Sequence, residues 1–312
     1  MLTFIGSMFL GWGLGTNDAA NVFGTAVSSR MVKWRTAALL AALFVVLGAV
    51  VQGGTAVETL TNLTPQTRLT ATITVFAAAF TVMFMTLLKL PISASQAVVG
   101  SIFGIGLMQG NLNPAGTTKI LLCWLGTPVG GAVFYIFFHL CLSSLVKAFK
   151  PSMLVLDPLI RGGLIIFGCY GAYALGANNV ANVSAVLVGS GLLERQLAVL
   201  VGGVSIAVGI LTLSKPVMLT VGRQIVEVNT FSALNVILAE AATVHLYAFV
   251  GVPVSTSQAV VGGLLGIGLL KGLQLIRWRT LTRVSLAWAA TPFIGAALAM
   301  LFYIIAHLEY RP

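Results

Sequence analysis

The amino-acid sequence predicts an all-α integral membrane protein of about ten helical segments, arranged as two inverted-topology repeats with interrupted helices. Three observations lead there: an apolar composition, an internal duplication, and an exchange of basic loops between the duplicated halves.

Of the 312 residues, 58% are hydrophobic and only 8% charged, against roughly a quarter charged in an ordinary soluble domain. A soluble globular class is thereby excluded. A bilayer-crossing helix needs about 20 mainly apolar residues. Such stretches, two of them short, recur at 1–15, 36–57, 69–88, 97–109, 120–146, 162–176, 196–218, 229–250, 259–270 and 284–307. The first lacks a basic flank and a cleavage site, so it is expected as a mature helix rather than a signal peptide. A net charge of +10 would suggest nucleic acid in a soluble protein. Here the Lys and Arg residues lie between apolar segments, where cytoplasmic loops carry them, and no nucleic-acid partner is expected. Cys123, Cys141 and Cys169 have no metal-ligand spacing and are expected to be packing residues.

The duplication is visible residue by residue. KLPISASQAVVGSIFGIGLMQG (89–110) matches GVPVSTSQAVVGGLLGIGLLKG (251–272) at 13 of 22 positions, and LGTNDAANV (14–22) matches LGANNVANV (175–183) at six of nine. Trp124, Thr127 and Pro128 recur as Trp288, Thr291 and Pro292. The order is the same in both halves, which places a first repeat at 1–146, a linker at 147–161 and a second repeat at 162–312.

Charge orients the halves. After the first motif, the first half carries Arg30, Lys33 and Arg35, whereas the second has Glu194 and Arg195, which cancel. After the second motif, the first half offers Lys119 alone, whereas the second offers Lys271, Arg277, Arg279 and Arg283. Because Lys and Arg stay cytoplasmic, the repeats have opposite topology, with the N-terminus outside and the linker (Lys147, Lys150, Arg161) inside. Inverted repeats with broken helices characterise secondary transporters, whose sites lie near the midplane between the halves. The sequence leaves open whether 69–110 and 229–272 span twice or form re-entrant hairpins, Pro91 being the tip of the first.

Two kinds of motif carry chemistry. Gly15, Asn17, Asp18 and Asn21, and in the second half Gly176, Asn178, Asn179 and Asn182, are polar clusters within apolar segments. They are expected to interrupt their helices and line an enclosed cavity, since lipid cannot satisfy unwound backbone. One Asn alone would read as glue between helices; the duplicated set reads as a site. The second motif is Pro91-Ile-Ser-Ala-Ser-Gln96 and Pro253-Val-Ser-Thr-Ser-Gln258. Proline ends one helix, and Ser93 or Ser255 is placed to cap the next, whose N-terminal N–H groups and positive dipole end suit an oxyanion. Ser95, Thr256 and Ser257 add hydroxyl donors. Gly100-x-x-x-Gly104 and Gly262-x-x-x-Gly266 are expected to serve close helix packing. Glu58 falls at a helix end and is either interfacial or involved in coupling. Glu240 lies inside an apolar stretch, where ionisable side chains are expensive and functional, as a cation ligand, a proton site or a structural partner. His139, His245 and His307 are given no role.

These paired blocks resemble the signatures of the inorganic phosphate transporter (PiT) family, which also includes related sulfate permeases, and the resemblance covers essentially the whole chain. It implies cation-coupled phosphate uptake at the plasma membrane and a homodimer. By position, it implies a phosphate site of Asp18, Asn21, Ser93, Ser95, Gln96, Asn182, Ser255, Thr256, Ser257 and Gln258. The same resemblance implies a sodium site of Asn17, Asp18, Asn21, Gln96, Asn178, Asn179, Asn182 and Gln258; Glu58 and Glu240 stay coupling candidates on their positions alone. Many members carry His where Gln96 and Gln258 stand, and the loss of that proton carrier favours sodium over protons.

The residues agree with such a substrate. No motif contains Arg, so an anion here is not held by guanidinium pairs; helix termini, hydroxyls and sodium ions must neutralise it. Sodium is expected as co-substrate and no cofactor is expected. A proton-coupled phosphate or sulfate permease, with Asp18 or Glu240 titrating, and an uncoupled anion channel stay open as alternatives. An enzyme is not expected, because no nucleophile–base pair or metal cluster is present.

Overall fold

The computed structural model describes residues 1–87, 92–224 and 229–309. Among these residues the chain forms α1 (Leu2–Ser28), α2 (Trp34–Gln52), α3 (Gly54–Thr61), α4 (Arg68–Leu87), α5 (Ala94–Gln109), α6 (Pro114–Phe149), α7 (Met153–Gly189), α8 (Arg195–Gln224), α9 (Thr230–Val250), α10 (Thr256–Lys271) and α11 (Trp278–Glu309). The protein is all-α, as its composition requires, and seven of these helices are long and apolar enough to cross a membrane. The first repeat contributes α1 to α6 and the second α7 to α11, with α8 running unbroken where α2 and α3 are separate.

Glycines expose the pseudo-symmetry of the packing, because each lets two backbones touch. A Cβ at Gly15 on α1 would fall on the carbonyl oxygen of Ile206 on α8, and a Cβ at Gly176 on α7 would fall on that of Val45 on α2. Gly209 against Trp12 and Gly48 against Tyr173 repeat the same exchange. Further along, Gly100 and Gly104 of α5 meet Pro292 and Ala296 of α11, while Gly262 and Gly266 of α10 meet Pro128 and Tyr135 of α6. Both small-residue stripes therefore serve packing, as expected. Each repeat grips the other at every one of these crossings, so neither forms a separate globule.

One expectation about the backbone is corrected. The polar clusters at 15–21 and 176–182 do not interrupt their helices: α1 runs 27 residues and α7 runs 37 residues straight through them. Gly15 and Gly176 are there for the close crossings onto α8 and α2 rather than for unwinding. The interruption of the second half lies instead at 251–255, between α9 and α10, where Gly251 takes a left-handed φ of 75° and every residue is buried. Its counterpart at Pro91 lies outside the described residues. Both α5 and α10 have 16 residues, about 24 Å at 1.5 Å per residue, which falls short of a bilayer core of about 30 Å. With 21 residues, α9 is long enough. The second hairpin is thus one full-length arm and one short arm, and its turn ends inside the protein. The start of α9 and the end of α10 lie together, Lys271 Nζ donating to Ser232 Oγ at 2.8 Å. Between the repeats, the helical break is only Lys150–Ser152, narrower than the 147–161 read as linker, because α6 continues to Phe149 and α7 begins at Met153.

Candidate functional site

The four motif blocks meet where α1 and α7 face each other and the N-termini of α5 and α10 approach from the two hairpins. Asn179 Nδ2 of α7 donates to Asp18 Oδ2 of α1 at 2.5 Å, joining the two polar clusters directly. Each cluster then reaches the hairpin of the opposite repeat. Asn21 donates to Thr256 Oγ1 at 2.9 Å and to Ser257 Oγ at 3.3 Å, while Asn182 donates to Ser95 Oγ at 2.9 Å. These are pseudo-symmetric equivalents, so the site is assembled across the repeat boundary.

Both short helices begin in the same way. Ser93 Oγ caps α5 by accepting from Gln96 N at 3.4 Å, and Ser255 Oγ caps α10 by accepting from Gln258 N at 3.3 Å. Ser-x-x-Gln is a capping-box sequence, in which the glutamine ordinarily folds back onto the cap's own N–H. Here only half of each box is made. Gln96 Oε1 and Gln258 Oε1 are buried acceptors without a hydrogen-bond partner, and Asn182 Oδ1 is a third. The first N–H groups of α5 and α10, at Ala94, Ser95, Thr256 and Ser257, are those an α-helix leaves without an intrahelical acceptor. The site therefore offers bare oxygens, suited to a hard cation, beside unpaired N–H groups and hydroxyls at two positive helix ends, suited to an oxyanion. Among the described residues, Asp18 is the one carboxylate within it, 9% exposed.

Asn178 and its counterpart Asn17 make different bonds. Asn178 clamps the second hairpin: its Nδ2 donates to Val254 O at 2.8 Å and to Asn179 Oδ1 at 2.7 Å, and its Oδ1 accepts from Val254 N at 3.0 Å. Ser95 Oγ donates to the same Val254 carbonyl at 3.2 Å, and Trp124 Nε1 to Pro253 O at 3.4 Å. The counterpart of Asn178 is Asn17, which turns back to its own helix and donates to Gly13 O at 3.3 Å. Trp288, the counterpart of Trp124, is buried with no partner for its Nε1. Asn178 and Asn17, both anticipated as cation ligands, therefore have their amides engaged with main chain, in different ways.

Glu58 stands apart from these residues, in keeping with the interfacial one of its two readings. It sits on the exposed face of α3 in an ion pair with Arg195 at 3.6 Å, both side chains more than half exposed, and takes no part in the buried cluster. Glu240 is fully buried, and neither carboxylate oxygen has a hydrogen-bond partner. It lies against α7 at Gly171, where a Cβ would come within 3.3 Å of Oε2 and 3.0 Å of Val22 on α1, one turn beyond Asp18. The absence of a side chain at Gly171 is what makes room for it. A network that the sequence reading passed over links α2, α7 and α9: His245 bonds Gln52 Oε1 at 2.7 Å through Nε2 and Tyr170 Oη at 2.9 Å through Nδ1, and Tyr173 Oη donates to Gln52 at 3.3 Å. Its signal was available, since Gln52 and His245 are polar residues inside apolar segments.

The chain is similar to known transport proteins along nearly its whole length. The model of the phosphate transporter family matches the chain twice, over residues 14–160 and 154–299. A candidate phosphate permease of Methanocaldococcus jannaschii is 30% identical over 295 residues, covering 94% of this chain and 93% of that protein. A sulfate permease of Bacillus subtilis is 29% identical over 303 residues, covering 95% and 84%. The backbone is similar to that of a solved sodium-dependent phosphate transporter, with a TM-score of 0.85 at 23% identity over 98% of both chains.

Proposed function

This chain belongs to the phosphate transporter family, and from that membership we propose that it is a secondary transporter importing inorganic phosphate with sodium ions by alternating access. The observation that carries the proposal is the pair of half-made capping boxes. Ser93 and Ser255 hold two helix N-termini open for an anion, while Gln96 Oε1 and Gln258 Oε1 stay without donors. A site for phosphate alone would need donors only. Bare acceptors, Asp18 and Asn182 Oδ1 in the same place support a cation bound beside the anion, each raising the other's affinity by neutralising charge.

Asp18 gives the site a preference. At neutral pH phosphate keeps one or two protons and can donate to a carboxylate, whereas sulfate has none to give. Asn179 donates to Asp18 Oδ2, which leaves Oδ1 and the second lone pair of Oδ2 for phosphate or for sodium. Glu240 serves coupling, because a fully buried carboxylate without a partner costs several kcal/mol unless it takes a proton or a cation. The unequal clamps support alternating access. The Asn178–Val254 grip closes one hairpin while Asn17 is withdrawn to Gly13, and exchange of the two grips turns the site from one face to the other.

Sulfate is a second reading, favoured by the similarity to a sulfate permease. Uptake into proteoliposomes of the purified protein decides between them. Phosphate accumulation driven by an imposed sodium gradient, saturable and poorly inhibited by sulfate, is expected. Equal uptake from a proton gradient in sodium-free medium would overturn sodium coupling, and flux without saturation would indicate a channel.

A further inference from the structure

A narrow apolar crevice of about 30 Å³ lies between α10 and α11. It is lined by Val261, Leu264, Leu265, Leu281 and Val284, with Ile276 and Arg277 from the connecting segment and Thr280 from the first turn of α11. Arg279 and Arg283 are exposed on the adjoining turns of α11, and Trp278, 54% exposed, sits between the arginines. Among the described residues, none of the three arginines has an acidic partner. The equivalent corner of the first repeat has no such rim: its one cation, Lys119, is spent on the Val250 carbonyl at 2.8 Å.

We propose that this cleft binds one anionic glycerophospholipid, its phosphate against Arg277 and Thr280 and an acyl chain along the Val261–Leu264–Leu281–Val284 wall. Charge complementarity commits the site to an anion. The five aliphatic walls commit it to a lipid rather than to free phosphate, which has no use for them. A tryptophan at this level is the residue type that sits at the headgroup boundary. Basic pockets at the ends of membrane helices bind anionic headgroups for the same reason, at about a fivefold gain in affinity for each Lys or Arg near the surface. Sorting of Lys and Arg to the cytoplasmic side accounts for where the arginines are, but not for an apolar crevice that has Arg277 in its lining.

The test is native mass spectrometry of the full chain released from nanodiscs of equal phosphatidylglycerol and phosphatidylcholine. The wild type is expected to retain one phosphatidylglycerol in preference to phosphatidylcholine. That preference should fall about fivefold for each of Arg277→Gln and Arg279→Gln, and stay unchanged in Arg68→Gln, at an exposed cation elsewhere. Leu281→Trp, which fills the cleft and leaves every arginine in place, should abolish retention. Equal retention of the two lipids by the wild type would overturn the proposal. So would undiminished preference in Leu281→Trp, which would reduce the effect to diffuse surface attraction, and so would displacement by inorganic phosphate, which would assign the cleft to the free anion.

Discussion

Asn178→Ala tests the clamp on the second hairpin. Asn178 makes three bonds in a fully buried position, two of them to the main chain of Val254. Hydrogen bonds between helices in a membrane average about 0.6 kcal/mol each, so the three together contribute about 2 kcal/mol. The substitution also leaves the Val254 N–H buried without an acceptor, which adds about 1–3 kcal/mol, whereas the Val254 carbonyl keeps Ser95. The expected loss is therefore about 3–5 kcal/mol. Asn17→Ala, at the equivalent position, removes one 3.3 Å bond to its own helix and should cost under about 1 kcal/mol. Asn178→Asp separates bonding from volume, since it keeps the acceptor for Val254 N but sets a second oxygen against the Val254 carbonyl. It should fall nearer to the alanine variant than to wild type. Equilibrium unfolding in lipid–detergent micelles reads the three differences, and phosphate uptake should fall with them, because the α10 N-terminus loses its anchor. Equal losses for Asn17→Ala and Asn178→Ala would refute the assignment of the clamp to one repeat.

Asp18→Asn should abolish efficient phosphate uptake, while Asn179→Ala weakens it less because no charge is removed. If the mutant keeps sodium binding but no longer discriminates phosphate from sulfate, Asp18 acts through the phosphate proton; wild-type uptake would remove it from the site. Gly15→Ala should destabilise the fold by about 1–3 kcal/mol or more, since its Cβ would strike the Ile206 carbonyl, whereas Gly13→Ala, with open space around it, should be neutral in the same unfolding assay. Glu58→Gln breaks an exposed ion pair and should change stability by less than about 1 kcal/mol and leave uptake intact; a lost sodium dependence would return Glu58 to the coupling machinery. Cysteines at Lys33 and Arg279 should react with a membrane-impermeant thiol reagent from the cytoplasmic side alone and one at Asn113 from outside alone; labelling of all three from one side would contradict the inverted repeats.

The sequence alone determined the class, the duplication and the motif blocks that the fold brings together. Hydropathy over about 20 residues is a local property, and repetition of LGTNDAANV and LPISASQAVVG is a matter of letters, so both could be read without coordinates. Ser-x-x-Gln after a proline likewise announced two helix starts, because capping is settled within four residues. What the chain could not reveal was which backbone each glycine touches. Gly15 and Gly176 look like helix breakers in one dimension, and only the crossings onto α8 and α2 show them as contact points in unbroken helices. Glu58 and Glu240 were equally ambiguous as letters. Tertiary packing put one in an exposed pair with Arg195 and sealed the other against Gly171, because burial and partners come from neighbours distant in sequence. The same holds for Asn17 and Asn178. Identical residues in matching motifs hold different partners, since a repeat fixes what each half can do, and the packing of one half on the other decides which half is doing it.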